Sequence, residues 1–432
     1  MNSITNNRQK IKVNYKMNFD GGNLSSDSGL ILFEKFIENF NLKKLVEKSM
    51  DFNNRDSICF WQRVHLTLAG YTSDLVLKDL QHDSIFNKMV GVSNLYSQST
   101  MSRFDNSLNK KSLEKFNQLN LSLLEKAYKK KLPKTIILDI DSTGIKTFGN
   151  QDKQSYNGHY QEVGFHPLMV FDGITGDLIK TSLRPGNVYT SNGVVDFIKP
   201  ILKWYKEKFP EIKLLFRGDS GFAIPDLYEI LEEYNVLYSI RLKANSKLHK
   251  SIKTRTDYFD ASELNDSSKH LIVYDEIEYQ AASWEKKRLV KVKIDRKPGE
   301  LILNSTYVVT NEDNNPKETI DFYSNRGTME NFIKEVKNGF GMKNMSHSNF
   351  ITNQNKMAQL MIIYNLNNIM RRLVFPKELI KCRIETIRYK FIKVASKFIS
   401  SGRKCIFKLS SSYPYKDSFY KIIENIVNLS RV

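Results

Sequence analysis

Two acids in this sequence stand at the ends of hydrophobic runs. TIILDIDSTG carries Asp141, with Asp139 two residues before it, and KLLFRGDSG carries Asp219. Both runs read as buried strands, being short, apolar and rich in β-branched residues or flanked by turn residues. A carboxylate at such a strand end loses hydration, which costs free energy unless a cation or hydrogen bonds compensate. Two strand ends in one sheet can bring acids together from distant positions, and hard oxygen ligands of this kind suit Mg²⁺ or Mn²⁺. Each acid also has an ordinary reading, Asp141 as a turn residue and Asp219 as the partner of its neighbour Arg217.

A third acid lies in YSNRGTMENFIKEVKNGFG. Met329, Phe332, Ile333, Val336 and Phe340 form the apolar stripe of a helix expected over 321–340. Glu330, Lys334 and Lys337 share another face at i, i+4 and i+7, with Tyr323 and Arg326 preceding it at comparable spacing. One acid among cations can hold a metal beside phosphate oxygens. A surface Glu–Lys pair accounts for Glu330 and Lys334, but not for Tyr323, Arg326 and Lys337 as well.

These segments need a scaffold, and the chain supplies one in blocks. Residues 1–131 read as a helical region, after a polar, extended start to about residue 26, with Asp27 or Ser28 capping the first helix. From Pro133 the order of strands and helices to residue 244 is β-β-β-α-β-α-β, a mixed α/β sheet with helices packed on it. Residues 245–303 alternate polar and apolar and read as a β-rich insertion; 304–350 return to the sheet through STYVVTN; and 351–432 read as a basic helical region. In its 381–404 stretch Ile384, Ile387, Phe391 and Val394 face inward, while Arg383, Arg388, Lys390, Lys393 and Lys397 form a DNA-facing or solvated surface.

Lysine plus arginine number 66 against 47 acids, a net charge of +19, which points to a polyanion partner and most simply to nucleic acid. Cys59, Cys382 and Cys405 form no CxxC pair, which argues against a disulfide framework or a zinc site and fits a reducing cytosol. The first residues lack the apolar core of a signal peptide. The most apolar helix, 357–375, is interrupted by Gln359, Asn365, Asn367, Asn368, Arg371 and Arg372, so no membrane span is expected. Weaker signals remain. Ser99 to Arg103 resemble the recognition end of a helix-turn-helix. Arg184 in LRPGN reads as a phosphate contact or turn packing, His159 as a residue within reach of substrate, and His166 as structural.

The spacing Tyr323, Arg326, Glu330, Lys337 resembles the Y-R-E-K signature of bacterial insertion-sequence transposases of the DDE class. Asp141 in DST and Asp219 in RGDSGF match that class's two aspartates, and its D-x-T pattern selects Asp141 over Asp139. YNGHYQEVGFHPLMVFDG, LRPGN and LSSDSGLILFEKF look like the branch called the IS-thirteen-eighty family, and the likeness runs from about residue 18 to the C-terminus. The resemblance implies an RNase H-like core with a β-rich insertion and two-metal phosphoryl transfer, with Mg²⁺ or Mn²⁺ held by Asp141, Asp219 and Glu330. It further implies phosphate contacts from Arg326 and Lys337, and a phosphate or base contact from Tyr323; Lys334, Arg184, His159 and Arg103 are added as DNA-binding residues from their own surroundings in the sequence. The implied protein cuts at terminal inverted repeats and joins the ends to target DNA, as a homodimer on double-stranded DNA in the bacterial cytoplasm. A DNA-binding descendant that no longer cuts, and a non-mobile nuclease, are the alternatives.

Overall fold

The apolar runs in the middle of the chain assemble into one mixed sheet. The computed structural model describes residues 18–252, 254–401 and 404–429, so the reading of residues 1–17 as extended lies outside the described residues. In chain order the strands are β1 (Leu24–Ser25), β2 (Thr135–Ser142), β3 (Ile145–Lys146), β4 (Ser155–Asn157), β5 (Glu162–Phe165), β6 (Leu168–Asp172), β7 (Leu178–Ser182), β8 (Lys213–Gly218), β9 (Leu237–Leu242), β10 (Leu271–Tyr279), β11 (Arg288–Arg296), β12 (Asn304–Thr310), β13 (Ser396–Ser401) and β14 (Lys404–Leu409). Eight of them form a sheet in the order β10-β11-β12-β9-β8-β2-β6-β7. β2, β8 and β9 run parallel, and the other pairings are antiparallel. β2 contributes Ile136, Leu138 and Ile140 to the core, none of them exposed. The parallel crossovers use the helices Val194–Lys208 and Pro225–Glu233, as parallel pairing requires.

An edge strand leaves backbone groups in need of partners, and on β7 two buried amides supply them. Asn365 accepts from Leu178 N and donates to Leu178 O, both at 2.8 Å, while Asn120 donates to the carbonyls of Leu178 and Ile179. Asn365 comes from the helix Phe350–Val374 and Asn120 from the helix Lys110–Lys130, so the same contacts fasten the helical blocks to the sheet. At the β6–β7 turn, buried Asp172 accepts from Ile137 N, Ile174 N, Thr175 N and the Thr175 hydroxyl. Burial pushes its carboxyl up to about 6, with neighbouring Asp177 adding to the rise. A folded pKa above the unfolded one means this term favours the fold at low pH and is lost as pH rises through about 6. Melting temperature of the wild type should therefore fall between pH 4 and 7 relative to Asp172→Asn, and parallel curves for the two proteins would show that the carboxyl is not perturbed.

Several sequence expectations need correction. The 321–340 helix is three pieces: Pro316–Ser324, a tight turn at 325–327, then Thr328–Lys334 running into a wide π turn, Glu335–Gly339. The 245–303 region contains the expected antiparallel strands, β10 and β11, but is not β throughout. Its first part carries short helices, Ser246–Lys250 and Ala261–Asn265, and β10 and β11 extend the main sheet through β12. The basic 381–404 stretch is helical only to Ile392, after which β13 and β14 form a hairpin that pairs with β1. Ile384, Ile387, Phe391 and Val394 are buried as expected. Several of its charges, however, are used inside the protein. Arg388 donates to the carbonyls of Leu68, Thr67 and Gly339, and Lys393 pairs with Asp27. That pairing explains why Asp27 does not cap the first helix, which begins after Gly29 without a side-chain cap. Gly29 sits where the two ends of the chain cross: its N–H donates to Ile392 O at 3.1 Å, and a Cβ there would collide with the Phe391 carbonyl.

Candidate active site

Strand register sets the site. Asp139 of β2 stands opposite Arg217 of β8, and Arg217 opposite Ser239 of β9. Two residues further on, the parallel register carries Asp141 and Asp219 to one level at the carboxyl ends of neighbouring strands. Alternation along a strand puts both on the face that Asp139 and Arg217 share. Both acids line one cavity of about 490 Å³, with His159, Tyr160, His166 and the 186–190 loop on its walls. Each carboxylate also orders its own turn: Asp141 accepts from Ser142 N and Asp219 from Gly221 N, both at 2.8 Å. Burial raises the Asp141 carboxyl above its ordinary value and the charge of Asp219 adds to the rise, with the Arg326 guanidinium opposing both.

The ordinary pairing of Asp219 with Arg217 does not occur. Arg217 is held by Asp139 instead, through two bonds of 2.6 Å between nearly unexposed side chains. The two acids of DID thus differ: Asp139 is locked inside the sheet, whereas Asp141 lines the cavity.

The 323–337 segment lies over this strand end. Arg326 bridges to Asp141 at 3.2 Å and donates to Ile140 O at 3.0 Å. Lys337 donates to the Thr143 hydroxyl at 3.0 Å and Gly144 O at 2.6 Å, and burial lowers its ammonium pKa. Between these two tethers to residues 140–144 stands Glu330. Its carboxylate is exposed, with Lys334 3.8 Å away and equally exposed. Both aspartates line the cavity, but among the described residues no three acids, histidines or cysteines form a metal-ready cluster, so Glu330 does not join Asp141 and Asp219 here. Tyr323 is half-buried. Burial raises its phenol, Arg326 and Arg241 lower it and Asp219 raises it, which puts it within the field of all three.

Other sequence candidates take different places. Arg184 directs its guanidinium to the carbonyls of His166, Thr190 and Asn192 at 3.0 Å, so it braces the cavity wall. His166 bonds Val188 O at 2.8 Å and is structural. His159 is exposed on the cavity rim, edge-on to Tyr160. Arg103 is exposed on the helix Gln98–Ser107, with Thr100 as its partner. Two residues escaped sequence reasoning. Tyr160 packs its ring on Gly144, where a Cβ would come within 2.8 Å of it, and both aspartates, after burial, raise its phenol. Arg241 lies at the end of β9. Neither stands out in sequence, since YNGHY and SIRLK read as an ordinary turn and strand end.

Paired acids at the carboxyl edge of parallel strands lie under a segment that carries Arg326, Lys334 and Lys337. The sequence places the chain within a known family. The model described as "Transposase DDE domain group 1" matches residues 7–431, and the chain belongs to that family. No curated protein matches it in sequence. Among solved structures it is similar to a piggyBac transposase synaptic complex with hairpin DNA, at TM-score 0.44 and 14% identity over 84% of this chain and 79% of that one. It is also similar to a Mos1 mariner paired end complex with Mn, at 0.18 and 17% over 38% and 58%, and to a Mos1 paired-end complex with left transposon end, at 0.18 and 15% over 43% and 62%. Likenesses so distant carry no weight for the site. Among the described residues no helix is long and apolar enough to cross a membrane.

Proposed function

We propose that this chain is a cut-and-paste DNA transposase of an insertion sequence, which cleaves at terminal inverted repeats and joins the freed 3′ ends to target DNA. The observation that carries the reading is the level placement of Asp141 and Asp219 at adjacent strand ends. The strand order β7-β6-β2-β8-β9, in which β6 alone runs against the rest, supports an RNase H-like core. Y-R-E-K spacing and the match of the early and middle motifs support the IS-thirteen-eighty branch.

A divalent cation fits the donor set, because Asp141 and Asp219 offer hard oxygens and Asp141 is a partly desolvated carboxylate that gains from a cation. Asp141, Asp219 and Glu330 would hold two Mg²⁺ or Mn²⁺ ions, which when bound supply an activated water or 3′-hydroxyl and charge stabilisation at the leaving oxygen. The protein's own groups do the rest. Arg326, now on Asp141, is placed to turn to a phosphate oxygen once DNA and cations arrive. Lys337 fixes the 143–144 turn, and so the orientation of Asp141. Lys334 and His159, both exposed, would meet incoming backbone, and Arg103 would contact DNA from the helical block. Glu330, carried in sequence between the Arg326 and Lys337 tethers, is the third carboxylate of this reading and would have to leave Lys334 to join the aspartates. The active form is a homodimer on two transposon ends, acting in the cytoplasm on nucleoid DNA.

The exposed Glu330–Lys334 pair favours a second reading, a descendant that binds repeats without cutting. A labelled terminal-repeat duplex in Mg²⁺ separates the two. Wild type should nick at the repeat end, and Glu330→Ala should bind equally but cut about 10²-fold slower or less, the scale of one lost transition-state charge partner. Binding without cleavage by wild type would establish the relic. Equal cutting by both proteins would remove Glu330 from the site.

A further inference from the structure

The row that aligns the two aspartates does not stop at Asp219. On β9, Ser239 stands opposite Arg217 and Ile240 opposite Gly218, so the next residue, Arg241, comes level with Asp219. Asp141, Asp219 and Arg241 are therefore neighbours across three parallel strands about 4.8 Å apart. Alternation points all three to one face, while Ile140, Gly218 and Ile240 turn to the other and are buried. Beyond Arg241 the row is interrupted by Val308 of β12, its antiparallel partner, which is fully buried, before it reaches Lys291 of β11, which Glu276 of β10 already pairs. Arg241 is thus the polar group that directly follows Asp219 in the row, set apart from the Lys291–Glu276 pair by Val308, and it is exposed.

Its surroundings differ from those of the other two arginines here. Arg217 is spent on Asp139 and Arg326 on Asp141, whereas Arg241 makes no ion pair among the described residues and lies near an uncharged group, the Tyr323 phenol, whose pKa it lowers. An exposed arginine is ordinary by itself. One that extends a row of two acids, and lies near the tyrosine beside them, has a guanidinium fork available where a DNA strand on Asp141 and Asp219 must pass.

We propose that Arg241 is a phosphate-binding residue of the active site, gripping a non-bridging oxygen of the scissile phosphodiester or its immediate neighbour on the Asp219 side. The inference rests on the reading of Asp141 and Asp219 as cleavage carboxylates. The fork can give two parallel N–H···O bonds to one phosphate, which fixes the strand's approach as well as adding charge. Positioning of this kind acts on the rate of the bound complex more than on binding, because many other contacts hold the duplex.

The test uses the full chain, a labelled terminal-repeat duplex in Mg²⁺, and single methylphosphonates at the phosphates flanking the cut, with stereodefined phosphorothioates at the scissile one. Arg241→Ala should cut the unmodified duplex about 10- to 100-fold slower, the worth of one charged hydrogen-bond donor, with binding changed less than about threefold. Arg241→Lys, which keeps the charge without the fork, should recover part of the loss. A modification at the contacted phosphate should slow wild type by a similar factor and Arg241→Ala by little more. Tyr323→Phe separates a purely structural role. If it reproduces the whole loss, and Arg241→Ala stays as sensitive to modified phosphates as wild type, Arg241 acts only through the tyrosine and the proposal is overturned. Wild-type cutting with Arg241→Ala within threefold of it also overturns this inference, while leaving the carboxylate reading intact. A wild type that binds and never cuts overturns the underlying reading instead.

Discussion

Replacing Asp219 by Asn should lower cleavage at the repeat end by about 10³-fold, near the upper end of what loss of one preorganised charge partner removes, with repeat binding unchanged or slightly tighter. Asparagine keeps the carbonyl oxygen that accepts from Gly221 N, so the 220–222 turn survives. It removes the negative charge that a cation needs and that DNA phosphates oppose. Asp141→Asn should behave alike, since the acceptor for Ser142 N also persists. The two differ in one respect: Asp141→Asn frees Arg326 from its ion pair, so this variant should show the larger gain in DNA affinity. Residues that act as a unit are not additive, and the double variant should cut no more slowly than either single one. Cleavage rates and binding isotherms on the same duplex decide the matter. A multiplicative loss, or normal cutting by either single variant, would mean that the cavity is not where phosphodiesters break.

How much of this was visible beforehand differs between strand ends and helices. Asp141 and Asp219 were legible because an acid closing an apolar run is costly and therefore informative. The row they form was not, since parallel register depends on which strands become neighbours, and no local pattern states that β8 lies between β2 and β9. Arg241 was lost for the same reason: only the register lifts it from an ordinary strand end to the flank of Asp219. Arg184 could be read either way, because a guanidinium that clamps carbonyls and one that meets phosphate leave the same residue in the same Pro-Gly turn. The C-terminal error was one of period. Ile384, Ile387 and Phe391 keep helical spacing, and extending it past Ile392 hid the alternation of SKFISS and KCIFKL, whose hairpin pairs with β1 from the far end of the chain. Glu330 marks the other limit. Its helix face was evident, but where an exposed side chain rests depends on charges that the protein alone does not contain.

Arg217→Met should destabilise the fold by about 3–5 kcal/mol, because it strands the Asp139 carboxylate inside the sheet without its partner. Neither side chain has room to find water: their exposures are 3% and 0%, and Gly173 closes over them so tightly that a Cβ there would lie 2.4 Å from the Asp139 carboxylate. Asp139→Leu combined with Arg217→Met removes both charges at once, and should recover most of the lost stability in urea or thermal unfolding. Activity should not return with it. Arg217 also donates to Phe322 O at 2.7 Å and lies over the Phe322 ring, tying β8 to the helix that leads into Tyr323 and Arg326. The double variant should therefore fold nearly as well as wild type yet cut more slowly, its cationic segment no longer indexed to the strand that carries Asp219. An unchanged unfolding midpoint for Arg217→Met would show that the pair is not buried as described. Full activity in the stable double variant would show that the segment finds its place without Arg217, through the Arg326 and Lys337 tethers alone.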